Sequence, residues 1–442
     1  MGGIFTSQNK VRPGTYINFK AIAAPLSTLG TRGVMTMPVA MSWGATITEL
    51  FSTDLVDGNS VSKIGFNADA PESLLFREAL KNCYKAIVYR LDTGGVKALA
   101  SIGDLNLVAK YPGIVGNDIT VSVVVNGANF DVLTYYNGKQ KDKQTVAVSD
   151  ELIGNDWVDF SYTTGTLTAN VGTPLITGAD GTIVDATYET YRNAIATYTW
   201  QTMAIPYVTT LESDFLEYVT QLREVQGKKV QVVLYNDVTS DYEGIITVAQ
   251  GYTTDNYTVS PTQFTAYFAG LTAGALPDES NTYHKIIGAT SIVYPDDITP
   301  YTNDEIIAKL KSGKIVISNR QDSAIIIEQD INTFRTYTPD KDYSFSKNRL
   351  IRTYDEIATQ LSLIFSLTYI GKIDNSSDGR NLYKSDVIDW LNRFQTTGAI
   401  KNFNGADEVT IYQGEAIDSV VIDLVVQGQD AMEKLYMTIT VG

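Results

Sequence analysis

The side chains that could carry out chemistry are few in this chain and stand far apart. His284 is the only histidine and Cys83 the only cysteine of 442 residues, which excludes a structural zinc site with several such ligands. A serine triad would need His284 to meet Ser280 or Ser291, and the chain has no G-x-S-x-G elbow. Cys83 falls on the apolar face of a predicted helix, where core packing is favoured over a reactive thiolate. These residues predict no catalytic site.

Acidic and glycine-rich motifs that bind metals or nucleotides are also incomplete. Asp374, Ser376, Asp378 and Gly379 resemble the front half of a calcium loop, but Ser385 stands where a bidentate glutamate is required. A capped turn before a helix explains this segment better. Neither the G-x-x-x-x-G-K-[ST] loop nor the G-x-G-x-x-G turn occurs. We therefore expect no cofactor, no metal and no enzymatic activity.

Composition indicates an acidic protein with several folded cores. Lys plus Arg number 34 and Asp plus Glu number 50, and the formal net charge of −16 repels a phosphate backbone. Hydrophobic residues make up 44% of the chain, and its length suggests about three domains. The longest purely aliphatic stretch, Ala324 to Ile327, is too short to span a membrane, and residues 1–19 lack a secretory signal core. Neither nucleic acid binding nor direct membrane insertion is expected.

Helix and strand patterns alternate in two separate parts of the chain. Residues 72–90 read as a helix followed by a β-branched strand. A helix at 211–226 precedes a strand at 230–235, and a helix from Asp304 precedes a strand from Lys314. These units predict parallel βαβ packing. In the helix that begins at Asp304, the residues expected to face inward are Ile306, Ile307 and Leu310.

The residues between these βαβ units and the C-terminal part differ from them in composition and in predicted secondary structure. Residues 94–185 are rich in Thr, Val, Gly, Asn and Asp, and the turn pairs Asn126-Gly127 and Asn137-Gly138 predict hairpins in an inserted β-rich domain. The C-terminal part should contain two helices and two strands. The predicted helices span 350–369 and 385–394, separated by a polar loop at 374–380, and the predicted strands span 419–426 and 435–441.

Short motifs along the chain resemble those of contractile-tail sheath proteins from phages, defective prophages and R-type bacteriocins. They occur in the family's order and extend over nearly the whole chain. The motifs are Gln8 to Phe19, Lys110 to Ile119, Tyr242 to Ile245, Ala269 to Gly274, Ser280 to Tyr283, Phe345 to Ile357, Tyr369 to Lys372 and Asp430 to Ile439.

This resemblance implies a non-enzymatic subunit that stacks as hexameric rings around an inner tube and contracts to drive the tube through a cell envelope. Its implied partners are further copies of itself, the tail tube protein, and the baseplate and tail terminator proteins. It would belong to a phage or bacteriocin particle assembled in the bacterial host cytoplasm. In such sheaths the terminal arms pair with sheets of neighbouring subunits. The subunit-linking residues carried over are Tyr16, Ile17, Phe19, Val420, Ile422, Leu424, Leu435, Met437 and Ile439.

Pattern and resemblance together predict a multidomain protein of the α/β and α+β classes. The expected parts are an N-terminal linking arm at 1–20, an α/β sheath core at 21–93 and 186–340, an inserted β-rich domain at 94–185, and a C-terminal α+β domain at 341–442 ending in a linking strand. Two alternatives stay open. The β-rich insertion also suits a surface-layer or adhesin-like protein, and the βαβ units suit an enzyme on a doubly wound sheet.

Overall fold

The computed structural model of the protein describes residues 33–56, 58–92, 94–207, 210–237, 239–295 and 300–441. The predicted strand of the N-terminal arm, with Tyr16, Ile17 and Phe19, lies outside these residues. No helix in the described ranges has the length and hydropathy that crossing a bilayer requires.

Strands and helices alternate along most of the described chain. The strands are β1 Val34–Val39, β2 Ile47–Phe51, β3 Lys85–Arg90, β4 Lys97–Ile102, β5 Leu105–Pro112, β6 Ile119–Asn126, β7 Asn129–Tyr136, β8 Lys139–Val146, β9 Val158–Tyr162, β10 Asn170–Pro174, β11 Thr202–Ala204, β12 Gln231–Tyr235, β13 Ile245–Val248, β14 Gly251–Thr254, β15 Thr258–Val259, β16 Ala289–Val293, β17 Lys314–Ile315, β18 Ile317–Asn319, β19 Ile325–Ile327, β20 Ile400–Lys401, β21 Val409–Gln413, β22 Val420–Leu424 and β23 Gln427–Gly428. The α-helices are α1 Ser52–Val56, α2 Ser60–Ile64, α3 Leu74–Leu80, α4 Asp185–Ile195, α5 Glu212–Thr220, α6 Phe264–Gly274, α7 Asn303–Lys311, α8 Asn348–Ile364, α9 Ser377–Thr397 and α10 Gly405–Glu408.

A seven-stranded sheet in the order β17-β13-β12-β11-β1-β3-β2 forms the centre of the molecule. Its neighbouring strands run parallel except for β2, which pairs antiparallel with β3. Strands β12 and β17, each preceded by a helix and a glycine, both lie in this sheet. The parallel packing predicted from the sequence is therefore confirmed.

Helices cover both faces of the central sheet, because successive side chains of its strands point to opposite sides. Ala86 and Val88 pack with α3 and α6 on one face. Ile87 and Tyr89 pack with α4 and α5 on the other. Helix α6 is buried on nearly every side, which suits its small and apolar sequence. The result is a three-layer α/β arrangement.

Two antiparallel sheets between β4 and β10 enclose a separate core. One sheet has the order β4-β5-β9 and the other β10-β6-β7-β8. Trp157 stacks on Tyr136 with ring centroids 4.5 Å apart and on Trp43 at 5.2 Å, so the segment before β2 also enters this core. Asn137 and Gly138 both have positive φ, as a two-residue hairpin turn requires.

The C-terminal part is built on α8 and α9, which pack with the hairpin of β21 and β22 around one apolar cluster. Helix α9 begins at Ser377, so the predicted polar loop at 374–380 and the predicted helix start at 385 are wrong. The Ser376 hydroxyl accepts a hydrogen bond from the Gly379 amide and caps the helix eight residues earlier than predicted.

Helix α7 also departs from the sequence prediction. Thr302 and Glu305 form a capping box at its start, close to the predicted position. None of its residues is buried, however, and Ile307 is 40% exposed. The prediction that Ile306, Ile307 and Leu310 all face inward is wrong, because α7 lies beside the edge strand β17 and only Leu310 packs against the main core.

Candidate assembly interface

The C-terminal segment extends away from the body of the subunit. Residues 429–441 contain no helix or strand, and Leu435, Met437 and Ile439 are 84%, 69% and 71% exposed. Tyr436, which points to the opposite side in an extended chain, is 88% exposed. The predicted strand at 435–441 is therefore not formed within the described chain, because a strand needs a hydrogen-bonded partner and none lies beside it. Its alternating apolar residues are mostly exposed in their own subunit.

The hairpin of β21 and β22 contains the other predicted linking residues. Val420, Ile422 and Leu424 lie opposite Gln413, Ile411 and Val409 in an antiparallel ladder. The strand predicted at 419–426 is therefore present. The three side chains are half-buried, and Ile422 and Leu424 pack on the cluster formed by α8 and α9. The side chains of Ile422 and Leu424 therefore stabilise the subunit itself.

The backbone edges of this hairpin have a different environment. Neither outer edge pairs with a further strand of the described chain. An isolated two-stranded hairpin is marginally stable in water and gains from additional strands. Exposed edges of this kind bind other strands unless something covers them.

An apolar groove runs between α8 and the outer side of β22. Its volume is about 570 Å³. The residues that line it are Phe345, Tyr354, Ile357, Ala358, Leu361, Leu424, Val425 and Val426. A strand added beside β22 would place every second side chain against this groove. Leu, Met and Ile match its lining in size and polarity.

Buried ion pairs hold the first half of α8 against the central body. Arg223 makes two hydrogen bonds of 2.7 and 2.8 Å to Asp355, and Arg352 lies 2.8 Å from Asp330. The side chains of Arg352 and Asp330 are each 1% exposed. Bidentate and buried pairs of this kind are geometrically specific. They attach α8, against which the β21–β22 hairpin packs, to the central body.

The residues considered for catalysis lie in packed surroundings. No described hydrogen bond joins His284 to Ser280 or Ser291, and burial lowers the pKa of His284 despite the opposing charges of Asp330 and Glu279. Cys83 is 6% exposed, and burial raises the pKa of its thiol to about 12. A thiolate is disfavoured there, as the apolar helix face predicts.

Comparison with known proteins identifies the family. Family models of phage tail sheath proteins match three consecutive parts of the chain: the beta-sandwich domain at residues 93–180, the central domain at 181–333 and the C-terminal domain at 340–442. The solved sheath tail protein of Desulfitobacterium hafniense is 38% identical with a TM-score of 0.81, and the match covers 96% of this chain and 99% of that one. The chain belongs to the phage tail sheath family.

Two further relatives of this sheath protein differ widely in similarity. Protein XkdK of the phage-like element PBSX from Bacillus subtilis strain 168 is 34% identical over the full length of both chains. The contracted helical sheath of the anti-feeding prophage is only 12% identical, with a TM-score of 0.55 and coverage of 97% and 98%. That second match shows a shared fold alone.

Sequence reasoning missed the residues that attach the C-terminal part of the sheath subunit to its body. Arg223 and Asp355 are 132 positions apart, and Asp330 and Arg352 belong to segments without a shared periodicity. The Phe345 to Ile357 motif marked this region through family resemblance. It did not indicate which side chains pair.

Proposed function

We propose that this tail sheath subunit polymerises as stacked hexameric rings around an inner tail tube and that the assembled sheath contracts to drive the tube through a cell envelope. The observation that carries the proposal is the C-terminal segment, whose alternating apolar residues are exposed and unpaired in the described subunit. The fold shared with a contracted helical sheath supports it.

Subunits are linked by strand addition in this proposal. Residues 435–441 of one copy pair with a free edge of the β21–β22 hairpin in the next copy, and Leu435, Met437 and Ile439 enter the groove beside β22. Burying three such side chains contributes on the order of 5 kcal/mol. The N-terminal arm, with Tyr16, Ile17 and Phe19, links another neighbour in the same way.

A head-to-tail contact closes into a ring or continues as an open helix, depending on the rotation between copies. In this proposal, contacts within a layer close into hexameric rings, and the contacts between layers repeat without closing and stack the rings into a helical assembly. Extended arms allow the globular bodies to reorient during contraction while the strand pairing between neighbours persists. The energy of contraction is stored at assembly in a metastable extended state, and a trigger at the baseplate releases it. The tube, baseplate and tail terminator proteins are the further partners.

The proposed domain boundaries are those predicted from the sequence. We propose linking arms at 1–20 and at the C-terminal end, an α/β core at 21–93 and 186–340, an inserted β-rich domain at 94–185 and an α+β module at 341–442. The separate apolar cores support this division. The subunit is not an enzyme and acts within a phage or bacteriocin particle assembled in the host cytoplasm.

Electron microscopy of the purified protein tests the proposal. Negative-stain images and sedimentation should show hollow striated tubes for the full chain. Deleting residues 1–20, or truncating after Lys434, should leave folded monomers that do not polymerise. The second truncation keeps Glu433 and removes residues 435–442, among them the exposed Leu435, Met437 and Ile439. Normal tubes from either truncated protein would contradict linkage by arms.

A further inference from the structure

Glu433 stands apart from its neighbours in the C-terminal segment. Its side chain is 11% exposed, whereas Met432 is 102% and Leu435 is 84% exposed. The segment therefore contacts the body of the subunit at Glu433 and is largely exposed from Leu435 onward.

Three parts of the chain converge on the Glu433 carboxylate. Lys347, directly before α8, lies 2.5 Å from one oxygen, and Gln329 donates a longer hydrogen bond of 3.3 Å to the same oxygen. The Thr282 hydroxyl donates a 2.8 Å hydrogen bond to the other oxygen. Lys347 is only 3% exposed. Burial by itself lowers the pKa of Lys347, but the hydrogen bond and charge of Glu433, together with a smaller contribution from Tyr343, outweigh burial and raise that pKa.

This contact rests on the buried network around Asp330 rather than on a loose surface loop. The Thr282 hydroxyl accepts a hydrogen bond from the Asp330 amide, so its one proton is directed at Glu433. Asp330 in turn accepts hydrogen bonds from Arg352 and Asn348. The groups that hold Glu433 are thus fixed in position by the same network that attaches α8 to the central body.

We propose that the Lys347–Glu433 pair is a positioning latch that sets the point and direction at which the C-terminal segment leaves the subunit. Residues 434–441 then start from the same position in every copy and reach the same hairpin on a neighbour. The inference rests on the proposed linkage between subunits. Positioning matters because an unanchored chain loses entropy when it pairs, whereas an anchored chain has given up part of that freedom beforehand.

The pair is suited to this role by its burial. Removing one partner of a buried pair leaves the other charge uncompensated, which is strongly unfavourable. Lys347 cannot easily exchange Glu433 for water, because almost none of its surface is accessible. The latch should therefore stay closed in the isolated subunit.

Distance measurements between spin labels test the latch without assembly. The native Cys83 is buried with a raised thiol pKa, so labels attach selectively to introduced cysteines. We would label Tyr436→Cys in the segment and Glu189→Cys on the exposed side of α4. Pulsed dipolar spectra of dilute monomers should give one narrow distance distribution. With Glu433→Gln it should become about 1.4-fold wider, because the free chain that leads to the label then starts at Asp430 and is about twice as long.

Matched variants separate the latch from general charge effects. Asp322→Asn removes one carboxylate from an ion pair that is exposed on both sides and should leave the distribution unchanged. Lys347→Arg keeps the cation and should keep the distribution narrow, whereas Lys347→Met should widen it. Far-ultraviolet circular dichroism of each variant confirms folding. An unchanged width in both Glu433→Gln and Lys347→Met would overturn the latch.

Sedimentation of the same variants tests its consequence for assembly. Glu433→Gln should polymerise at least several-fold less than the parent protein at equal concentration, while Asp322→Asn polymerises normally. If Glu433→Gln widens the distance distribution but polymerises as well as the parent protein, then the starting position of the C-terminal segment does not affect assembly. That result would overturn the proposal. If truncation after Lys434 fails to block assembly, the linkage itself is wrong; the distance measurement is independent of that result.

Discussion

At the scale of single residues, the glycines of α6 explain one of the family-like motifs. A Cβ atom at Gly270 would lie 2.0 Å from the carbonyl oxygen of Ala79, and one at Gly274 would lie 1.7 Å from that of Asn82. Both carbonyls belong to α3 or to the residues just after it. The four-residue spacing puts the two glycines on one face of α6, where they allow close approach of the two backbones. The motif from Ala269 to Gly274 is thus a packing requirement.

Substitution of Gly270 by alanine should destabilise the subunit by about 2–3 kcal/mol, because backbone must move to admit the methyl group. The intrinsic preference of alanine for helices offsets only about 1 kcal/mol of this loss. Urea unfolding followed by circular dichroism measures the change. Thr272→Ala in the same helix is the control, since the buried Thr272 hydroxyl has no hydrogen-bond partner among the residues that the structure describes and its removal should cost little. Equal stabilities of the two variants would contradict the packing argument.

At the scale of secondary-structure elements, the C-terminal segment has the sequence pattern of a strand but forms no strand within the described subunit. Leu435, Met437 and Ile439 alternate as they would in a half-buried strand, yet both sides of the segment are exposed in the subunit. The pattern is satisfied only when another chain supplies both the hydrogen bonds and the apolar surface. In the proposed assembly, the free hairpin edges and the groove beside β22 of a neighbouring copy supply both.

Charge placed on one side of the segment should therefore block assembly, and charge on the other side should not. Leu435→Asp, Met437→Asp and Ile439→Asp combined should abolish tubes in electron micrographs without altering the unfolding curve of the monomer. The matched control introduces the same three carboxylates at Tyr436, Thr438 and Thr440, and it should retain tubes because that side faces away from the groove. Loss of assembly in both variants would indicate a general charge effect rather than strand addition.

At the scale of the whole molecule, buried ion pairs connect the C-terminal module to the central body. Arg223, Asp355, Arg352 and Asp330 join segments that are far apart in the chain. Because polymerisation through the hairpin transmits force to the body, this junction must withstand contraction in the proposed mechanism. Its polar groups are directional and oppose sliding of α8 along the body.

Weakening the junction should loosen the C-terminal module. Asp355→Asn leaves the buried Arg223 without its carboxylate and should cost about 3 kcal/mol. Hydrogen exchange should rise first in α8 and in the adjoining residues 221–225. Glu49→Gln, at an ion pair whose acid is 43% exposed, should cost less than about 1 kcal/mol and serves as the control. A uniform rise in exchange across the central sheet would indicate global unfolding instead of a local junction.

The sequence by itself determined the local elements and the class of the protein. Periodicity predicted the strands β12 and β22 and the long helix α8, and the Asn137-Gly138 pair predicted its hairpin turn, because these features depend on neighbouring residues. The ordered motifs predicted the sheath family, which the comparisons confirm. Only the tertiary structure decided that Ile307 is exposed, that Ile422 packs within the subunit and that residues 435–441 are unpaired. It also decided the partners of Asp355 and Glu433, because burial and ion pairing depend on residues that are distant in the chain and adjacent only after folding.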